Sequence, residues 1–311
     1  MRYRQLGGSG LTVSVLGLGG TSFGKRVDLA TTVEVVRTAL DLGVTLVDTA
    51  DCYGDPPGSS EEFLGKALAG RRDEVVLATK FGVVRGARRP EATGSRRYLR
   101  RAVEASLRRL GTDYLDLYQY HAHDGVTPYE ETLGALDELV REGTIRYAGL
   151  SNTPAWRIAD AAGLARRDGL APLVSEQAEY SLLRRGVEVE VVPACLRYGM
   201  GLLPYFPLAA GMLTGKFRRG EPPPAGTRLA EPGYGHWLAA SAFDRVEALQ
   251  RYAADRGLDL LEVAIGGLAA QPAVASVLAG ATRPDQVRAN VVAAEWQPDQ
   301  HDRAELDRIA P

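Results

Sequence analysis

Short apolar runs alternate with helical patterns along nearly all of the 311-residue chain. Most of these runs lack the strict polar–apolar alternation of a half-exposed strand, so both faces of each should be buried, as in a parallel sheet. The runs predict strands over Val13–Leu18, Thr45–Thr49, Val75–Lys80, Tyr114–His121, Tyr147–Ser151, Leu173–Gln177, Gly201–Phe206 and Ser276–Gly280.

Amphipathic helical patterns separate the strands, and glycines stand where the helices should end. They predict helices over Ala30–Leu42, Glu61–Leu68, Ser95–Leu110, Tyr129–Glu142, Pro154–Arg166, Glu188–Tyr198, Ser241–Arg256 and Leu260–Gln271. Strand–helix repeats of this number predict an α/β fold, the (β/α)8 TIM barrel, as one domain over residues 1–311. Residues 2–14 should form an N-terminal β-hairpin, and the last two helices are extra helices between strand 7 and strand 8.

A doubly wound sheet is the main alternative fold. It would require a glycine fingerprint at the start of its first helix. The glycines of Gly17–Gly20 are instead followed by a long polar segment before the first predicted helix begins. The pattern therefore favours the barrel.

Charge and cysteine content narrow the class of protein. A net charge of −2 favours neither nucleic acid nor an acidic membrane as a partner. Two cysteines, Cys52 and Cys195, suit a reducing compartment rather than a disulfide framework. The chain has no apolar run of about 20 residues and begins without a signal-peptide pattern. We therefore expect a cytoplasmic protein.

Polar side chains recur at the carboxyl ends of the predicted strands, where barrel enzymes place their active sites. Asp48, Tyr53, Lys80 and His121 are the notable members. A tyrosine hydroxyl has a pKa of about 10, which a neighbouring ammonium lowers. Lys80 could act in this way on Tyr53, with Asp48 holding the ammonium in place. Such a set interconverts a carbonyl and an alcohol, and because none of the four donates hydride, a nicotinamide must supply it.

The motifs "GVTLVDTADCYG", "VVLATKFG", "GLSN", "EQAEYSLL" and "PYFPLAAGMLTGK" closely resemble the aldo-keto reductase family. The resemblance is to bacterial branches of the family. These lie near two groups of relatives, those similar to potassium-channel β subunits and the sugar ketoreductases. It implies NADPH at the carboxyl face of the barrel and carbonyl reduction without a metal. It also implies that Tyr53 is the general acid and Lys80 the modulator of its pKa. Asp48 would then be the partner of Lys80, and His121 would orient the substrate.

The resemblance also implies a set of cofactor contacts. Ser151, Asn152 and Gln177 would bind the nicotinamide carboxamide, and Tyr205 would stack on the ring. Arg283, at the start of a helix, could meet a 2′-phosphate, which favours NADP although NADH is possible. Phe206 stands where many relatives have serine. The other implied contacts are Gly20, Thr21, Asp48, Leu208, Gly211, Leu213, Lys216, Gly280, Thr282, Gln286 and Asn290.

Several residues also have plainer interpretations. The His121-x-His123 pair could hold a metal, but only His236 and His301 remain as further histidines, so we predict no metal. Asn152 could instead be the N-cap of the next helix. Cys52 is better explained as a buried inert thiol than as a redox switch. Tyr53, His121, His123 and Trp237 are the candidate substrate contacts.

The leading functional prediction is an NADPH-dependent oxidoreductase that reduces an aldehyde or ketone, with Tyr53 as general acid. A polar rim formed by His123 and Asp124 favours a small, sugar-like carbonyl substrate. Two alternatives are an NAD(P)-linked sugar or alcohol dehydrogenase and a non-catalytic, NADPH-sensing regulatory subunit. The sequence leaves the oligomeric state open.

Overall fold

The barrel is built from parallel strands, and a small hairpin precedes it. The computed structural model describes residues 1–84 and 91–310. Strands β1 (Tyr3–Gln5) and β2 (Thr12–Ser14) pair antiparallel as the predicted hairpin. The barrel strands are β3 (Leu16–Gly19), β4 (Leu46–Asp48), β5 (Val76–Phe81), β6 (Leu115–Tyr120), β7 (Ile145–Ser151), β8 (Leu173–Glu179), β9 (Gly201–Tyr205) and β10 (Val277–Gly280).

These eight strands form one parallel sheet in the order β10-β3-β4-β5-β6-β7-β8-β9. A bridge between β9 and the residues ahead of β10 brings the two edges together. The Leu202 amide donates to the Ala273 carbonyl at 2.7 Å, and the Ala275 amide donates to the Leu202 carbonyl at 2.9 Å. The sheet is therefore a nearly closed barrel, which confirms the predicted TIM-barrel fold.

Helices surround the barrel. They are α1 (Leu29–Asp41), α2 (Ser59–Ala67), α3 (Arg96–Leu110), α4 (Tyr129–Glu142), α5 (Ala155–Arg167), α6 (Val191–Tyr198), α7 (Ala240–Ala254), α8 (Leu260–Ala269), α9 (Pro284–Ala293) and α10 (Gln300–Ile309). Helices α7 and α8 are the predicted extra pair between β9 and β10. Gly111, Gly143 and Gly199 adopt positive φ at the ends of α3, α4 and α6, as helix C-caps commonly do.

The first predicted strand, Val13–Leu18, is wrong in its bounds because it joins a hairpin strand to a barrel strand. Val15 separates the two strands. The hydroxyl of Ser14, the last residue of β2, donates to the Leu16 carbonyl at 2.6 Å and accepts from the Thr45 amide at 2.9 Å. These bonds turn the chain between β2 and β3, so the barrel strand begins only at Leu16.

The two ends of the barrel interior differ in chemistry. Leu6 and Val13 of the hairpin segment join interior side chains such as Leu46 and Val76 in one apolar cluster. This cluster fills the amino-terminal end. Polar side chains occupy the interior at the other end, where β4, β5 and β8 finish.

Gly149 on β7 is a point where the interior leaves no room for a side chain. A Cβ there would lie 2.1 Å from the Ser175 hydroxyl oxygen. That hydroxyl donates to the Gln119 side-chain oxygen at 3.3 Å. Glycine at position 149 therefore leaves the room that the Ser175 hydroxyl needs to bond to Gln119.

We expect Gly149→Ala to lower the free energy of unfolding by roughly 1–3 kcal/mol, because it overpacks a filled interior. The matched control is Gly163→Ala in α5, where a Cβ meets nothing within 4 Å. The control should raise stability by up to about 1 kcal/mol, since alanine is the better helix former. Urea unfolding of both variants measures the difference. Equal stability of the two would contradict this account of the interior.

Candidate active site

A buried ion pair joins β4 to β5 at the carboxyl end of the barrel. The Lys80 ammonium donates to Asp48 Oδ2 at 2.7 Å and to the Thr49 carbonyl at 2.8 Å. Lys80 is fully buried and Asp48 is 4% exposed. The second Asp48 oxygen accepts from the Gln177 amide at 2.9 Å. Each charge therefore has the partners that a buried charge needs.

Tyr53 and His121 lie beside this ion pair. The Lys80 nitrogen is 4.9 Å from the centre of the Tyr53 ring. The Tyr53 and His121 ring centres are 5.8 Å apart in an edge-on arrangement. Residues from β4, β5 and β6 and their following loops thus meet at one point. The four residues predicted to act together are brought together.

The protonation of Tyr53 and Lys80 is set by burial and by their mutual charge. Burial raises the pKa of Tyr53 above its ordinary value, and the Lys80 charge opposes this shift without overcoming it. Burial works to lower the pKa of Lys80, but Asp48 and Tyr53 outweigh it, so the pKa of Lys80 is raised. Lys80 therefore remains an ammonium. Lys80 thus acts on the Tyr53 pKa in the predicted direction, but desolvation is the larger effect and the net pKa is raised.

A network of polar side chains connects the ends of β7, β8 and β9 to His121. The Ser151 hydroxyl donates to the Gln177 carbonyl at 2.9 Å. The Asn152 amide donates to the His121 carbonyl at 3.0 Å and accepts from the Tyr205 hydroxyl at 2.7 Å. Asn152 has a φ of 55°, which places it in the left-handed region. The N-cap interpretation of Asn152 is wrong, because Pro154 occupies the cap of α5.

The segment that follows β9 is strained and borders a group of cations. Phe206, Ala209 and Ala210 have φ values of 52°, 49° and 56°. Non-glycine residues in this region cluster at functional sites because the conformation costs free energy. Lys216 follows the segment, and its pKa is lowered by burial and then by the Arg26 and Arg283 charges.

Arg228 belongs to the same cationic region and was missed by the sequence analysis. Its guanidinium lies 5.0 Å from the centre of the Phe206 ring. Within residues 1–84 and 91–310, no hydrogen bond or ion pair joins Arg228 to another side chain. Its pKa is lowered, chiefly by burial. The sequence carries no signal that separates it from the other arginines of the loop after β9.

The remaining predicted cofactor residues lie on loops at the carboxyl ends of β3, β9 and β10 or on α9. The Gly20 amide, next to Thr21, donates to the Asp48 carbonyl at 2.7 Å. Gln286 accepts from the Thr282 amide at 2.7 Å, and Arg283 pairs with Asp285 at 3.0 Å. Leu208 and Gly211 lie just after β9, and Gly280 ends β10. Leu213 and Asn290 are buried, at 0% and 5% exposure.

Two candidate substrate residues are engaged elsewhere. The His123 ring bonds to the Thr127 carbonyl at 3.1 Å and accepts from the Gly125 amide at 2.8 Å, so both nitrogens serve its own loop. Trp237 is 4% exposed and packs in an apolar cluster with α7 and α8.

Asp124 of the expected polar rim is likewise occupied. Its carboxylate accepts from the Gly94 amide at 2.9 Å and from the Thr127 hydroxyl at 2.7 Å. Burial opposes but does not outweigh these bonds, which lower the Asp124 pKa. The rim residues thus hold their loop in shape, which weakens the reason for expecting a sugar-like substrate.

Comparison with known proteins identifies the family. The model of the Aldo/keto reductase family matches residues 15–311. The chain belongs to this family. Membership supports an oxidoreductase that acts on small-molecule carbonyl compounds. Among the described residues of this aldo/keto reductase, no group of three His, Cys, Asp or Glu side chains is placed to hold a metal. No described helix is long and apolar enough to cross a membrane.

Three relatives show the range of the family around this reductase. The "Probable voltage-gated potassium channel subunit beta" of Arabidopsis thaliana is 36% identical over 308 residues, covering 96% of this chain and 92% of the relative. The L-glyceraldehyde 3-phosphate reductase of Escherichia coli K12 is 35% identical over 305 residues, with 94% and 87% covered. The uncharacterized oxidoreductase YrpG of Bacillus subtilis 168 is 35% identical over 322 residues, with 100% and 96% covered.

Glu176 is a buried carboxyl next to the network, which the sequence analysis did not single out. It precedes Gln177 on β8 and is fully buried. One oxygen accepts from the Thr153 amide at 2.9 Å, while Oε2 has no hydrogen-bond partner among the described residues. Burial raises the pKa of Glu176 to about 8. The carboxyl is therefore mostly protonated at neutral pH.

This pKa predicts a pH dependence of stability. A glutamate in the unfolded chain has a pKa of about 4.3. Between that pH and about 8, the folded protein keeps a proton that the unfolded chain has lost, so the free energy of unfolding falls as pH rises. Glu176→Gln abolishes that loss. At pH 7 the variant should be more stable than the parent by up to roughly 3–4 kcal/mol, and near pH 4 the two should converge.

Urea unfolding across this pH range measures the effect. Glu179→Gln, on the same strand and half-buried, is the control and should show no such gain. A Glu176→Gln variant that parallels the parent at every pH would refute the assignment of a protonated carboxyl.

Proposed function

We propose that this protein is an NADPH-dependent reductase of small aldehydes or ketones. The observation that carries the proposal is the buried Lys80–Asp48 pair, with Tyr53 and His121 beside it. A phenol next to an ammonium is a proton donor whose conjugate base is stabilised.

The side chains divide the work on the carbonyl oxygen. Tyr53 donates its phenolic proton to the oxygen as negative charge develops there. Lys80 then stabilises the phenolate, and Asp48 keeps Lys80 in position. His121 donates a hydrogen bond to the same oxygen, which orients the carbonyl. A bound nicotinamide would supply the hydride that reaches the carbonyl carbon.

The cations at the mouth of the barrel support the proposal of NADPH as the cofactor. Lys216 and Arg228 are cations without carboxylate partners among the described residues, and both suit a pyrophosphate. Arg283 precedes α9, whose N-terminus favours an anion such as a 2′-phosphate. Ser151, Asn152 and Gln177 would bind the carboxamide, Tyr205 and Phe206 would contact the ring end, and the remaining predicted residues would follow the adenosine.

We propose a small substrate and a location of the protein inside the cell. One relative, the E. coli enzyme, is named as the reductase of a three-carbon phosphorylated aldehyde, L-glyceraldehyde 3-phosphate. A small aldehyde or ketone is therefore the first class to test. The cysteine content suits a reducing compartment, so we place the protein in the cytoplasm.

A second candidate function follows from the similarity to potassium channel β subunits. In that case the protein would bind NADPH and turn over slowly while it regulates a partner. Turnover with a panel of aldehydes, compared with the rate of cofactor release, separates the two. Turnover that stays at or below a slow background with every aldehyde favours the regulatory subunit.

We expect Tyr53→Phe to lower kcat/KM for a small aldehyde by roughly 10²–10⁴-fold, because the variant keeps the ring but lacks the proton donor. NADPH binding should be unchanged. Absorbance of NADPH reports turnover, and calorimetry reports binding. Tyr198→Phe on α6 is the control and should match the parent. Retained turnover in Tyr53→Phe would defeat the assignment of the general acid.

We expect Arg283→Ala to raise the Kd for NADPH by roughly tenfold to a hundredfold, since it removes a charged hydrogen-bond donor from the 2′-phosphate. The Kd for NADH should not change. Arg288→Ala, also exposed on α9, controls for charge alone. If NADPH and NADH binding weaken equally in Arg283→Ala, this residue does not set the cofactor preference.

A further inference from the structure

Cys52 contacts the proposed substrate-orienting imidazole. Its side chain is 3% exposed and directly precedes Tyr53. The sulfur lies 3.7 Å from Nδ1 of His121, a distance at which a thiol can hydrogen-bond to nitrogen. The other cysteine, Cys195, lies on α6, outside this group. The contact gives Cys52 a role beyond the inert packing expected from the sequence.

Hydrogen bonds to the backbone hold the segments that carry Cys52 and His121. The Asp51 amide, just before Cys52, donates to the Lys80 carbonyl at 3.1 Å. The His121 amide donates to the Phe81 carbonyl at 2.8 Å, and the His121 carbonyl accepts from Asn152 at 3.0 Å. His121 is thus tied directly to β5, and Cys52 is tied to it through its neighbour Asp51. The thiol and the imidazole are in contact because these bonds place both segments at the end of β5.

A neutral imidazole has one nitrogen that donates and one that accepts. The hydrogen bond made by one nitrogen decides which of them carries the proton. A carbonyl oxygen needs a donor, and because Nδ1 faces the thiol, that donor must be Nε2–H. This requirement is met when Nδ1 accepts from the thiol.

We propose that Cys52 is a positioning residue that fixes the tautomer of His121. The thiol S–H donates to Nδ1, and the imidazole proton therefore stays on Nε2, where it can donate to the carbonyl oxygen. No proton is transferred between the two groups, since the thiol keeps its hydrogen and the ring keeps one N–H. The role rests on the proposed carbonyl reduction, but the tautomer itself is a property of the free protein.

The decisive measurement is the tautomer of His121 by NMR of protein labelled with ¹⁵N-histidine, above the usual imidazole pKa of about 6.5. His121→Gln assigns the signal by its loss. The parent should show protonated Nε2. Cys52→Ala and Cys52→Val should each move the ring toward a mixture of tautomers, and Cys52→Ser, which keeps a donor, should restore the parent spectrum. Cys195→Ser is the control and should leave the His121 signal unchanged.

Kinetics with a small aldehyde supply a second readout. Loss of one hydrogen bond should raise KM by roughly threefold to tenfold in Cys52→Ala and Cys52→Val, with a smaller change in kcat. Cys52→Ser should be close to the parent.

The proposal is overturned if the parent carries its proton on Nδ1, or if Cys52→Ala and Cys52→Val leave the His121 spectrum unchanged. Failure of the proposed function is a separate result, because it appears as absent turnover in the parent while the tautomer follows Cys52 as expected.

Discussion

The ion pair between Lys80 and Asp48 is the constraint on which the carboxyl end of the barrel depends. Each buried charge loses several kcal/mol of hydration, so neither residue could stand here alone. The Thr49 carbonyl and the Gln177 amide complete the set of partners. Because those partners come from the β4 loop and from β8, the pair ties opposite parts of the barrel together. A polar interior at this end follows from that need.

The apolar and polar halves of the barrel interior have separate tasks. The hairpin and the lower strand residues, such as Leu6 and Leu46, exclude water and stabilise the fold. Around the upper half lie features that work against stability: the left-handed backbone at Phe206 and, on the outer face of β8, the Glu176 Oε2 atom, which has no hydrogen-bond partner among the described residues. The fold tolerates these costs because apolar burial in the lower half supplies compensating stability. Strain and buried polarity are consequently found where β7, β8 and β9 end.

The sequence predicted the strands and the polar cluster well because both depend on local patterns. Apolar runs ending in Asp48 and Lys80 indicated strand ends, and the barrel then required those ends to converge. The roles of Arg228, His123 and Trp237 could not be predicted in the same way. Each depends on how its loop folds, through contacts that no periodicity encodes. The desolvation that raises the Tyr53 pKa also could not be predicted, since it is a property of the packed site.

The charges at the barrel mouth bear on which ligand the fold is built to hold. The chain as a whole carries a net charge of −2, so its cations are not in excess. Yet the pKa of Lys216 is lowered, first by burial and also by the nearby charges of Arg26 and Arg283. Arg26 is paired with Glu231 at 3.1 Å and Arg283 with Asp285 at 3.0 Å, whereas Lys216 has no carboxylate partner among the described residues. A polyanion would relieve the repulsion that remains at Lys216. A small neutral carbonyl compound offers no such relief, whereas a dinucleotide carries several phosphate charges. The electrostatics near Lys216 are therefore an argument for the proposed phosphate-bearing cofactor rather than for the substrate.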